Sequence, residues 1–421
     1  MKLLRTALSL LFPLALPLPA QADAGASPEA LLKTADEWVA RVARIRGLKP
    51  KRRVQKGVLG REAIAEKLMA RIRKEYAPEE IAIEERVYKR LGLLPPDAHY
   101  EKAVMDLLLE QIAGFYDPFD RKLYIADWLS ESMQIPTLAH EIAHALQDQR
   151  FGLKAYATPI KDNGDRQLAR SALVEGDGTA VMVEAMIAFP AAGSLAAAPM
   201  PAFDRAPRFL RETLIFPYVQ GLAFVQRIRN THPWSAVDAV YARPPESTEQ
   251  VIHPEKYFAR ERPVSVQEGG GPIAKKWRPI RRDVLGEMLT RLYLEGAVAP
   301  EQAQVAAEGW GGDRLVAYEI DAGSAPLVVL LSVWDSEADA DEFARAANRV
   351  HAKMSGKPEG TLPAIYAHDA GEESAIERRG TKVLQLIGAP REIRAQLLEE
   401  VWRTWRVAGK PAGVTPTSGR M

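Results

Sequence analysis

The stretch PTLAHEIAHALQDQR, Pro136 to Arg150, decides how this chain is read. On an α-helix, positions four apart lie one above the other on the same face. His140 and His144 therefore present two imidazoles to one ion. Glu141 points to the edge of that face, where it reaches a water on the ion without binding the ion itself. Leu138, Ala139, Ile142, Ala143, Ala145 and Leu146 make the predicted helix apolar on most sides. Imidazoles and a carboxylate in such surroundings need strong partners. The plain alternative, a helix with two surface histidines, leaves those apolar neighbours unexplained.

Zinc in a catalytic site takes three protein ligands and leaves one position for water. A third ligand is then expected from another element, and RSALVEGDGTAVM supplies it. Leu168, Ala172, Glu175, Thr179 and Met182 fall on one helical stripe, with Glu175 as the charged exception. A carboxylate buried there without a cation is costly. Gly176 and Gly178 remove side chains beside it, so another helix can approach closely. The alternative is a glutamate at a helix edge that snorkels to water.

His140, Glu141 and His144 on one helix, then Glu175 on the next, resemble the gluzincin type of zinc metallopeptidase. HEIAHALQDQ followed by ALVEGDG is also similar to a group of exported bacterial proteins with HExxH-HALQDQ and LVEGDA patterns. The likeness continues through FPYVQGLAFV and PPESTEQVIHPEKY and covers Glu110 to Tyr257. It implies a zincin-like domain that binds Zn2+ through His140, His144 and Glu175 and hydrolyses a peptide or protein substrate. Glu141 would be the general base for a zinc-activated water and would pass the proton to the leaving amine. The oxyanion needs a further donor, and Tyr218, Tyr241 and His253 are the candidates. Gluzincins often carry Asp four residues after the third ligand; here that position is Thr179. Asp177 and Asp148 both remain open as the residue that orients a ligand histidine.

The first 22 residues read as a signal peptide: a basic start, a short apolar core, and AQA ending at Ala22 or ADA ending at Ala24. An exported protein, periplasmic or secreted, is expected. Cysteine is absent from the 421 residues, which excludes disulfides, thiolate metal sites and a lipid anchor at the signal site. No later segment is long and apolar enough for stable membrane insertion. The net charge of +1 gives no bulk attraction to nucleic acid.

The segments SPEALLKTADEWVARVARIRGL, GREAIAEKLMARIRKEYAPEEIAIEERVYKRLGL and HYEKAVMDLLLEQI show helical spacing, with KPKRRVQKG as a solvated basic turn. AGFYDPFDRKLYIAD reads as a β-hairpin around Asp117-Pro118, whose edge can receive an extended peptide. A long helix over about Asp165 to Ile187 follows, then an Ala/Pro-rich loop, a helix in RETLIFPYVQGLAFVQRIRN and a loop in YARPPESTEQVIHPEKY. Gly269, Gly270 and Gly271 mark the expected domain boundary. Beyond it, DRLVAYEI and APLVVLLSVW read as strands, and SEADADEFARAANRVHAKM as a helix capped by Ser336.

The expected class is α+β. A mainly helical zincin-like domain over residues 23–268, with a small hairpin or edge sheet, precedes a smaller α+β domain over 269–421. The rival functional class is a non-catalytic, zinc-stabilised scaffold or binding protein of the cell envelope.

Overall fold

A computed structural model describes residues 27–128, 131–189, 200–272, 274–320, 323–368 and 371–408. The expected signal peptide lies outside the described residues. The chain is mixed α+β and divides into two compact units. The first comprises the chain up to Glu85 together with Leu94–Pro254; the second comprises Arg86–Leu93 and the chain from Glu255 onward. No helix among the described residues is long and apolar enough to cross a membrane.

In the first unit, strands β1 (Gln55–Leu59), β2 (Gly114–Asp117) and β3 (Lys122–Ala126) form one sheet in the order β1-β3-β2. β2 and β3 make the expected hairpin, paired antiparallel. β1 runs parallel to β3, with Gln55 opposite Lys122 and Leu59 opposite Ala126. The basic segment read as a turn therefore ends inside a strand. Its pairing partner is remote in sequence, and five residues are too few for a clear alternation.

Helix Glu131–Phe151 carries the opening stretch. Its Leu138, Ile142 and Leu146 share one core with Leu31, Trp38 and Val42 of helix Pro28–Arg46, Tyr116, Leu123 and Ile125 of the hairpin, and Val181 and Ala185 of helix Gly164–Ala188. That last helix starts at Asn163, whose side chain accepts a 2.9 Å bond from the Arg166 N–H. It is buried along most of its length, including the charged Asp165, Glu175 and Asp177. Helix Arg208–Arg229 packs against it and runs through Pro217.

Two segments read as loops contain short helices, Pro201–Arg205 and Thr248–Ile252. Ser247 caps the second, accepting from the Gln250 N–H at 3.3 Å, and Thr248 donates its hydroxyl to Asp165 at 2.6 Å. Five residues are too short to show a helical period, so caps and tertiary bonds decide such elements.

The second unit holds a six-stranded antiparallel sheet. Its strands are β5 (Arg278–Asp283), β6 (Trp310–Glu319), β7 (Leu327–Trp334), β8 (Ala364–Ala367), β9 (Glu372–Arg379) and β10 (Lys382–Pro390), in the order β5-β6-β7-β10-β9-β8. β7, the apolar run LVVLLSVW, is buried at every residue because both its faces are covered. Val329, Leu331 and Val333 meet Leu397, Leu398 and Val401 of helix Arg394–Thr404. Helix Glu337–Ser355 packs on β7 to β10 and begins at Ser336, which accepts from the Asp339 N–H at 3.2 Å as the capping pattern predicts.

The unit boundary precedes the glycine run. β4 (Ser265–Gln267) pairs with β11 (Arg406–Ala408), and Val264 and Val266 belong to the second core. The end of helix Pro78–Arg90 belongs there too: Arg86 pairs with Glu319 at 3.1 Å and Arg90 with Glu372 at 2.9 Å. A unit assembled from two stretches leaves no single compositional break.

Candidate metal centre

Two helices of the first unit bring three donor atoms together. Nε2 of His140 lies 3.1 Å from Oε2 of Glu175 and 2.9 Å from Nε2 of His144; His144 Nε2 is 3.5 Å from the same carboxylate oxygen. All three side chains have 0% exposure. Donor atoms around a tetrahedral zinc with bonds of about 2.0–2.1 Å stand ~3.3 Å apart, which is this spacing.

The hydrogen-bond pattern tests the fit. Nδ1 of His144 faces Oε1 of Gln147 at 2.8 Å, so the proton sits on Nδ1 and Nε2 offers a lone pair. That lone pair faces another imidazole nitrogen and a carboxylate, and either a proton on Nε2 of His140 or a cation held among the three would satisfy it. Oε1 of Glu175 and Nδ1 of His140 are also buried without a well-formed bond, although Nδ1 faces the Gly178 backbone. Burial, and for His140 also the neighbouring His144, lowers both histidine pKa values to about 4. Both are therefore neutral near pH 7, the form in which imidazole binds metal. Burial pushes Glu175 up to about 7 against the pull of His140 and of the Tyr218 hydroxyl. A divalent cation bound there would supply a counter-charge to this carboxylate.

Two glycines make this convergence possible. A Cβ on Gly178 would stand 2.9 Å from Cε1 of His144 and 3.0 Å from Cε1 of His140. A Cβ on Gly176 would come within 2.1 Å of the Gly221 carbonyl on helix Arg208–Arg229. That close approach carries Tyr218 to the cluster, where its hydroxyl bonds Glu175 and its ring centroid lies 6.1 Å from that of His140.

Glu141 is also fully buried. The Tyr116 N–H on β2 donates to its Oε2 at 2.8 Å, while Oε1 has no partner. Burial and the nearby Glu175 raise its pKa well above the usual carboxylate range, and only the Tyr116 bond opposes them. β2 is an edge of its sheet, as the hairpin reading required, but its Tyr116 N–H is taken by Glu141.

The other sequence candidates are placed differently. Tyr241 donates its hydroxyl to Asp177 at 2.9 Å and stacks on Phe151. His253 ends helix Thr248–Ile252 and is not part of the three-residue cluster. Asp148 accepts from the Tyr116 hydroxyl at 2.8 Å and from Arg52 at 3.1 Å. Asp177 is clamped by Arg46, at 2.7 Å from Nε and 2.9 Å from Nη2. Asp177 acts on His144 through its charge, and Gln147 bonds that histidine directly. Its signal was present, since it lies three residues after His144 on the same helix face. Arg46, at the end of a distant helix, gave none. The Thr179 hydroxyl is buried without a partner.

A family model described as a domain of unknown function (DUF8575) matches residues 277–400, in the second unit and outside the residues of the candidate centre. No curated protein and no solved structure matches the chain.

Proposed function

We propose that this chain is an exported zinc-dependent peptidase with a zincin-like first unit, in which His140, His144 and Glu175 hold the metal and Glu141 is the general base. The observation that carries the reading is the convergence of three buried lone-pair donors beside a carboxylate whose second oxygen is unpartnered. A zinc ion held by His140, His144 and Glu175 would supply Lewis acidity and would lower the pKa of water at the site. Glu141 is fixed through Oε2 by Tyr116, which leaves Oε1 to take a proton and return it to the leaving amine. Its raised proton affinity, caused by burial and by the nearby Glu175, suits a group that must take up a proton. Of the three oxyanion candidates, the position of Tyr218 on Glu175 favours it over Tyr241 and His253.

The complete burial of all four side chains favours a second reading, a metal-stabilised scaffold without turnover. In the peptidase reading, the site must open before a peptide reaches Glu141. A purely structural ion has no use for an unpartnered buried carboxylate next to it. Metal analysis and peptide-library cleavage with wild type and Glu141→Gln separate the two. The peptidase reading expects zinc in both proteins and cleavage in wild type alone. Turnover by the variant would remove the mechanism; zinc in both without cleavage by either would leave the scaffold.

A further inference from the structure

We propose that a basic pocket at the β2–β3 turn binds a carboxylate of the substrate peptide, an acidic side chain or a free C-terminus. This rests on the peptidase reading for the word substrate, though not for the binding itself. The pocket is a cavity of about 320 Å³ lined by Arg52, Phe119, Arg121, Asp148 and Lys154, among others, all in the first unit. Three of these carry positive charge. The one carboxylate, Asp148, is committed: Oδ2 accepts from Tyr116 and Arg52, and Oδ1 from the Leu153 N–H at 2.9 Å. Among the described residues, neither the Arg121 guanidinium nor the Lys154 ammonium pairs with a carboxylate; Lys154 lies 5.6 Å from the centre of the Phe119 ring.

The backbone gives an independent pointer. Arg121 has φ of 54°, the left-handed region that glycine or asparagine normally occupies in a hairpin turn. A glycine there would relieve the strain. The side chain that stands there instead contributes to the pocket wall.

The pocket is joined to the general base by one residue. Tyr116 donates its N–H to Glu141 and its hydroxyl to Asp148, both at 2.8 Å. Asp148 lies about two turns beyond Glu141 on the same helix, ~10 Å along the axis. An extended peptide covers that distance in about three residues. The structure assigns the pocket to a carboxylate about three residues from the bond to be cut.

The test uses the full chain carrying Glu141→Gln, so that binding is read without cleavage, and fluorescein-labelled hexapeptides ending in Glu amide, Gln amide or a free carboxylate. Fluorescence anisotropy is expected to show the Glu amide or the free acid binding about ten- to a hundredfold more tightly than the Gln amide. The two acidic peptides tell side chain from terminus. Arg121→Gly and Lys154→Gln should each lose most of that preference, and Arg121→Gly should keep or raise the melting temperature. Equal binding of all peptides, or a preference that survives both substitutions, overturns the proposal. A pocket-dependent preference in a protein whose wild type cleaves nothing would sink the peptidase reading and keep the pocket. Cleavage by wild type that ignores the acidic group would do the reverse.

Discussion

The Gln147 carbonyl oxygen stands 2.8 Å from Nδ1 of His144, where it accepts the ring proton in the tautomer that leaves Nε2 free to bind a metal. Without it the ring can adopt the other tautomer and turn its lone pair away from Glu175. Gln147→Leu is expected to lower zinc affinity by about ten- to a hundredfold, the usual effect of losing a partner behind a ligand histidine. Competition against a zinc indicator measures it. An unchanged affinity would mean that the ring is held by packing alone.

Gly176 and Gly221 set the helix crossing that delivers Tyr218. An added Cβ at either position meets main-chain atoms at 2.1 Å, which no rotamer change can relieve. Gly176→Ala is expected to cost about 3 kcal/mol or more of stability. Denaturant unfolding of the metal-loaded chain checks this; a loss near zero would show that the helices slide apart freely.

Arg46 and Asp177 form a buried ion pair at 0% exposure, with Tyr241 as a third member. Burial alone would lower the Arg46 pKa, but pairing with Asp177 reverses the direction and raises it. Asp177→Ala leaves a buried cation with only the partly exposed Asp238, and is expected to cost about 3–5 kcal/mol. The double variant Arg46→Met, Asp177→Leu should recover part of that loss. Equal stability of single and double variants would show that the charge is not the cause.

His351 makes the second unit sensitive to acid. Its Nε2 faces Oε1 of Gln385 at 2.8 Å, Tyr293 donates to the same oxygen, and Nδ1 has no partner. Burial lowers its pKa from 6.5 to about 4. A depressed folded-state pKa gives stability that is present above about 6.5 and lost as pH falls through about 4. The full shift corresponds to about 3 kcal/mol. Asp313 works in the other sense: burial raises it to about 6, so its contribution is fully present at low pH and is lost as pH rises through that value. Comparing wild type with His351→Gln isolates the histidine. The variant should lose less stability between pH 7 and 4 by denaturant midpoint, and identical slopes would contradict the assignment.

By itself the sequence determined the α+β class, the hairpin, the long helices and the three donors of the candidate centre. These are local matters: helical spacing stacks His140 over His144, and an isolated charge in an apolar stripe marks Glu175. Tertiary structure decided what depends on residues far apart in the chain. β1 became a strand only by pairing with β3, and residues Arg86 to Leu93 joined the second unit through ion pairs with Glu319 and Glu372. Tyr218 rather than Tyr241 reached the centre because Gly176 and Gly221 let two backbones touch. Periodicity records which face of an element is apolar. It does not record which neighbour covers that face, and it is the neighbour that closes the site.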